Sequence, residues 1–125
     1  MSQSKALSAF LALNLKKEPL PIISWLLKEK GRSINLDIEA SGDQLIRAVL
    51  WTSSSQSRDF RESKWTNTTL ELNKKNKSKI EAKLKYSKTG FNAFYVDLFY
   101  PDINGGEYSV STRTYVADKI HVFVK

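Results

Sequence analysis

The sequence predicts a mainly β chain: an immunoglobulin-like antiparallel β-sandwich over residues 19–125, preceded by one N-terminal α-helix within residues 1–18. Three observations predict it. Apolar residues alternate with period two after Pro19 and Pro21, turn residues separate these runs at short intervals, and the segment before Pro19 has helical character instead. With 125 residues and 41% hydrophobic composition, the chain is the size of one domain and can close one core.

Ser4 is placed to cap a helix running to about Lys16, where Lys16 and Lys17 complement the helix dipole and Pro19 stops the turn. Ala6, Leu7, Ala9, Phe10, Leu11, Ala12, Leu13 and Leu15 leave it almost no polar face, which suits a helix covered on more than one side. The same segment superficially resembles an export signal. Asn14 interrupts its apolar run, though, Lys16 and Lys17 follow directly, and no small-x-small cleavage pattern comes after. The run is also about half of what crosses a bilayer. The chain therefore reads as soluble, without a transmembrane segment and without an address of its own.

In the β region, Ile34, Leu36, Ile38 and Ala40 alternate with Ser33, Asn35, Asp37 and Glu39, and Ile80, Ala82, Leu84 and Tyr86 alternate with Lys79, Glu81, Lys83 and Lys85. Each reads as a strand with one dry and one wet face. Further strands are expected at 22–28, 65–72, 108–116 and 120–124, with turns at Lys30-Gly31, Ser41 to Asp43, Asn73 to Lys77, Thr89-Gly90 and Asn104 to Gly106. Two strands break the alternation. Leu45 to Thr52 is apolar on both faces, and so is Phe91 to Tyr100 except at Asn92 and Asp97. A sandwich buries only the inner face of each sheet, so the outer face of these strands needs another cover. The N-terminal helix and a neighbouring domain are the two candidates.

Composition excludes several chemistries. Without Cys there are no disulfides, thiol nucleophiles or thiolate metal sites, and a single histidine, His121, cannot build a multi-histidine metal centre. No nucleophile elbow, glycine-rich phosphate loop or acidic calcium loop is present. A hydrolase nucleophile needs an oriented base, and His121 sits on a strand-like tail segment. The expectation is a non-enzyme with no cofactor. Asn67-Thr68-Thr69 and Asn76-Lys77-Ser78 match the glycosylation pattern, which matters only in a eukaryotic secretory host.

A formal charge of +7 and a pI near 9.6 favour anionic surfaces without specifying one. Lys79, Lys83 and Lys85 share the wet face of one strand and could track an anionic polymer. No aromatics are interleaved there for base stacking, which disfavours nucleic acid, and lysines also guard strand edges. The stretch WTSSSQSRDFR, residues 51–61, is more particular. If its end is extended, Arg58 and Phe60 point one way and Asp59 and Arg61 the other. Phe60 would anchor the segment, and Asp59 would pair with a guanidinium or accept backbone N–H groups. The arginines would brace carboxylates, carbonyls or an aromatic face such as Trp51, or else face an anionic ligand.

Pro19-Leu20-Pro21 through Ser24-Trp25, Val49-Leu50-Trp51 with Ser57-Arg58-Asp59-Phe60-Arg61, Gly90 to Leu98 with Tyr100-Pro101, and Ser111-Thr112 with Tyr115-Val116 also carry a likeness. In that order, from about Lys5 to Asp118, they resemble the C-terminal region of the PhoPQ-activated pathogenicity-related protein family, which includes autocrine proliferation repressor-like proteins. The resemblance implies a β-rich accessory domain following an α/β-hydrolase-like domain whose serine, acid and histidine all lie upstream. No catalytic residue carries over to this sequence, and the helix would be the last of the hydrolase domain. Trp51, Arg58, Asp59, Phe60, Arg61, Phe91 and Phe94 are then expected as interface or bracing residues, with Lys79, Lys83 and Lys85 as the anionic-surface candidates. The expected partners are the hydrolase-like domain, another protein, or a second copy seated on an exposed apolar patch. The family likeness implies export or secretion of the parent protein.

Overall fold

In the computed structural model, residues 22–124 are described apart from 41–43, 74 and 77. The helix expected within residues 1–18 lies outside the described residues. These form nine strands in two antiparallel sheets: β1 (Ile23–Lys30), β2 (Ser33–Ala40), β3 (Arg47–Ser55), β4 (Trp65–Leu70), β5 (Lys79–Lys85), β6 (Phe91–Pro101), β7 (Glu107–Ser111), β8 (Tyr115–Ala117) and β9 (Val122–Val124). The smaller sheet has the order β1-β2-β5. The larger has the order β4-β3-β6-β8-β9, with β7 also paired to β6.

The alternating strands do what their period dictates. Ile34, Leu36, Ile38 and Ala40 of β2 are each no more than 1% exposed, and Ile80 and Ala82 of β5 lie beside them. They meet Ala48, Leu50, Phe94, Val96 and Leu98 of the larger sheet in one core, so the two sheets pack face to face. Trp25 on β1 donates its indole N–H to the Tyr115 hydroxyl on β8 at 2.9 Å, a polar tie between the sheets that leaves the indole satisfied. The β1–β2 connection is a two-residue loop, Gly31-Arg32, in which Gly31 has a φ of 57° that only glycine adopts without strain.

The strand expected over 108–116 is split in two. β7 pairs with Asp97 to Pro101 and β8 with Asn92 to Phe94, and residues 112–114 lie between them. The reason is Thr112, a buried polar residue. Its backbone N–H donates to Val96 O at 2.9 Å, and its Oγ1 accepts from Val96 N at 3.1 Å while donating to Arg113 O at 3.0 Å. A side-chain oxygen thus replaces the ladder carbonyl where the strand breaks, and the Val96 amide stays paired.

Two phenols report on this packing. Tyr100 is 3% exposed, and its hydroxyl has no partner among the described residues. Burial, with Tyr108 nearby, pushes it up to about 12. Tyr86 is also pushed up to about 12, first by burial and then by its 2.6 Å hydrogen bond to Glu29. Both folded values exceed the ordinary phenol value of about 10, so their stabilising contribution is complete below that pH and lost as pH climbs towards 12. In an alkaline titration followed by phenolate absorbance, Tyr86 and Tyr100 should ionise last, and thermal stability should fall over that window. Ionisation of all five together near pH ~10 would contradict the packing.

Candidate functional site

The outer face of the larger sheet holds most of the candidate residues. Strand register places Trp51 of β3 between Asn67 of β4 and Tyr95 of β6, and Ser53 between Trp65 and Ala93. Trp51 stacks on Tyr95 with ring centroids 6.4 Å apart, and Trp65 reaches Tyr95 at 5.4 Å. These three rings are half-buried and form an aromatic row. Burial and the nearby Asp97 raise the Tyr95 phenol above its ordinary value. Trp51 Nε1 is shielded and has no acceptor among the described residues.

Next to the row, small residues make room for a cover. Ala93 is fully buried, Ser53 is 4% exposed, and Phe60, from the segment joining β3 to β4, sits over Ala93 and Val116 with Trp65 and Phe91 around it. Phe60 is 5% exposed, on the face of β6 opposite to the main core. The outer face therefore receives part of its cover from this chain itself, which corrects the expectation that it must all come from the helix or a neighbouring domain. Among the described residues, the large apolar side chains that remain exposed (Ile22, Leu26, Ile46, Ile103 and Ile120) lie on other segments and not in the aromatic row.

Serines and one aspartate hold the segment in shape. Ser55 Oγ donates to Asp59 O at 2.9 Å and accepts from Ser57 N at 3.2 Å, Ser57 Oγ accepts from Asp59 N at 3.2 Å, and Ser53 Oγ donates to Lys64 O at 2.8 Å. These are local side-chain to backbone bonds of the kind that replace ladder pairing. The segment is consequently bent, and the extended conformation considered for residues 58–61 is not adopted. Asp59 and Arg61 therefore meet: Asp59 accepts Arg61 N at 3.0 Å and pairs with its guanidinium at 2.7 Å. That bond raises the already high Arg61 value. Arg58 lies 4.6 Å over the Phe123 ring of β9 rather than over Trp51. At the other end of the same face, Arg47 covers Phe99 at 4.1 Å and pairs with Glu107 at 2.7 Å.

The structure thus gathers Trp51, Phe60 and Phe91 on one face, with Arg58, Asp59 and Arg61 at its margin. Phe94 does not join them: adjacent residues of a strand point oppositely, and it lies fully buried in the main core, stacked 5.6 Å from Tyr115. Lys79, Lys83 and Lys85 occupy the wet face of β5, as expected from the alternation. Acidic residues stand among them. Lys79 faces Glu39 at 3.9 Å, Lys83 faces Glu81 at 3.3 Å, and Lys28 on the same sheet pairs with Asp37 at 3.1 Å. Sequence reasoning missed Tyr95, Trp65, Val116 and Phe123 as members of the outer face. Small Ser53 and Ala93 within aromatic strands were the available signal.

His121 is exposed in the loop before β9. Its backbone N–H donates to Asp118 Oδ1 at 2.7 Å, and its ring meets Phe123 edge-on at 6.3 Å. The bonds from Ile120 N and His121 N hold the Asp118 carboxyl below its ordinary value. Among the described residues no cluster of His, Asp or Glu could hold a metal ion, and no helix is long and apolar enough to cross a membrane. The open clefts among the described residues include three. One of about 640 Å³ lies between β2, β5 and residues 71–73, one of about 790 Å³ lies along residues 54–63, and one of about 560 Å³ lies between the end of β3 and the β5–β6 turn.

Residues 1–61 match the family model of the PhoPQ-activated pathogenicity-related protein, which bears out the resemblance over that part of the chain. The match ends at Arg61 and so includes β1, β2, β3 and the SRDFR segment. Searches among curated proteins and among solved structures found no match.

Replacing Phe60 with Ala removes the cover over Ala93 and Val116, and should cost about 3 kcal/mol of unfolding free energy. Arg61→Ala, at an exposed ion pair, should leave the unfolding midpoint close to that of the parent. Denaturant melts of the two variants check this order.

Proposed function

We propose that this chain is a non-catalytic, immunoglobulin-like accessory domain of a PhoPQ-activated pathogenicity-related protein, acting through contact with an α/β-hydrolase-like domain or another protein. The observation that carries this reading is the half-buried row of Trp51, Tyr95 and Trp65 on the outer face of the larger sheet. Rigid aromatic rings with part of their area still open to water are the side chains that most often anchor protein contacts. Strand order supports the immunoglobulin-like label, with β1, β2 and β5 facing a sheet centred on β3 and β6. That is the division of first, second and fifth strands from third and sixth found in such sandwiches, here with β4 paired to β3. The family match over residues 1–61 supports the parentage.

Contact with an anionic polymer through Lys79, Lys83 and Lys85 draws less support. A lysine stripe interrupted by Glu39 and Glu81 presents alternating charge, where a phosphate or sulfate backbone calls for a continuous cationic track.

The test is a titration of the 125-residue chain with the hydrolase-like region of a family member. Saturable binding, weakened roughly tenfold or more by joint Trp51→Ser and Tyr95→Ser substitution, is the expected result. Absence of binding, binding unchanged in the double variant, or ester turnover by the isolated chain would each overturn the reading.

A further inference from the structure

We infer that the cleft between the end of β3 and the β5–β6 turn binds a small anionic group carried on a hydroxylated body, such as the carboxylate of a uronic acid. Its charge sets it apart from the other two clefts. The one between β2 and β5 has Asp37, Glu39, Glu71 and Glu81 against Lys79, and the one along residues 54–63 has Asp59 and Glu62 against Arg61. The third is lined by Lys85 and Lys88 with Ser54, Gln56, Thr89 and Asn92 among its neutral neighbours, and it has no carboxylate in its lining. A concave surface with two cations and no acid concentrates an anion without having to displace an internal partner.

The walls are fixed before any ligand arrives. Gly90 has a φ of 69° and lies so close to β3 that a Cβ there would come within 2.5 Å of Ser55 O, which holds the turn against the strand end. Ser87, itself buried, donates to Thr89 O at 2.5 Å and shapes the turn from within. Ser54 Oγ donates to Asn92 Oδ1 at 2.8 Å. That bond occupies the amide oxygen of Asn92 and orients its N–H groups, which are donors for an anion. The Tyr86 hydroxyl is committed to Glu29, which is not part of the lining. Charged donors beside neutral amides and hydroxyls suit an acidic sugar, whose carboxylate takes the ammonium groups and whose hydroxyls exchange bonds with Ser, Thr and Asn side chains. A volume of about 560 Å³ accommodates a small saccharide.

The experiment is an amide chemical-shift titration of the full chain with sodium glucuronate, with glucose and with sodium chloride at matched ionic strength. Shifts confined to residues 54–56 and 85–92, seen with glucuronate and absent with glucose and chloride, are expected. A Lys85→Gln, Lys88→Gln double variant should weaken binding roughly tenfold, whereas a Lys79→Gln, Lys83→Gln double variant should bind like the parent. Overturning results are no shift with glucuronate, equal shifts with glucose, or an equal loss in both double variants, which would reduce the effect to net charge.

Discussion

A strand that is apolar on both faces must be covered twice, and β6 imposes that constraint on the whole chain. Phe94, Val96 and Leu98 on one face meet the smaller sheet, while Ala93 on the other is fully buried beneath Phe60. The second cover explains why residues 56–64 depart from strand geometry. A chain carrying Phe60 back over β6 must bend, and the backbone groups it withdraws from the ladder need other partners. Ser55, Ser57 and Asp59 supply them within a few residues. The small polar run in WTSSSQSRDFR is thus the shaping part of the segment, and the phenylalanine is its anchor.

Much of the fold was legible because alternation is a geometric signal. β2 and β5 follow their sequence pattern residue by residue, and the turns at Gly31, Gly90 and Gly105 fall where glycine was available for positive φ. The break at Thr112 was not legible. A buried threonine bonding to Val96 has the same local sequence as one in an unbroken strand, and the difference lies in the partner strand. Phe60 as an anchor could be read from its standing as the one apolar residue of the polar stretch 52–64. The pairing of Asp59 with Arg61 could not, because an extended reading and a bent one differ only in serine bonds that depend on where β3 ends. The family resemblance groups Phe94 with Phe91, although its parity on the strand sends it to the main core.

Charge is distributed with the same economy. The excess of lysine does not produce one cationic surface, since on the smaller sheet Asp37, Glu39 and Glu81 stand among Lys28, Lys79 and Lys83. Asp37 and Glu81 face each other directly across β2 and β5, a like-charge pair relieved by Asn35, whose amide donates to both. Around Lys85 and Lys88, by contrast, a concave region carries positive charge without a carboxylate in its lining. The aromatic row on one face and the lysine-lined cleft at the end of β3 are separate features, set by different residues.

The seat of Phe60 is the claim on which the double cover rests, and proton-to-proton Overhauser contacts test it directly. Strong contacts between the Phe60 ring and the methyl groups of Ala93 and Val116, with those methyls shifted upfield by the ring, are the predicted result. A Phe60 ring with the averaged shifts of an unstructured peptide and no contact to either methyl would contradict it, and would leave the outer face of β6 in need of a partner after all.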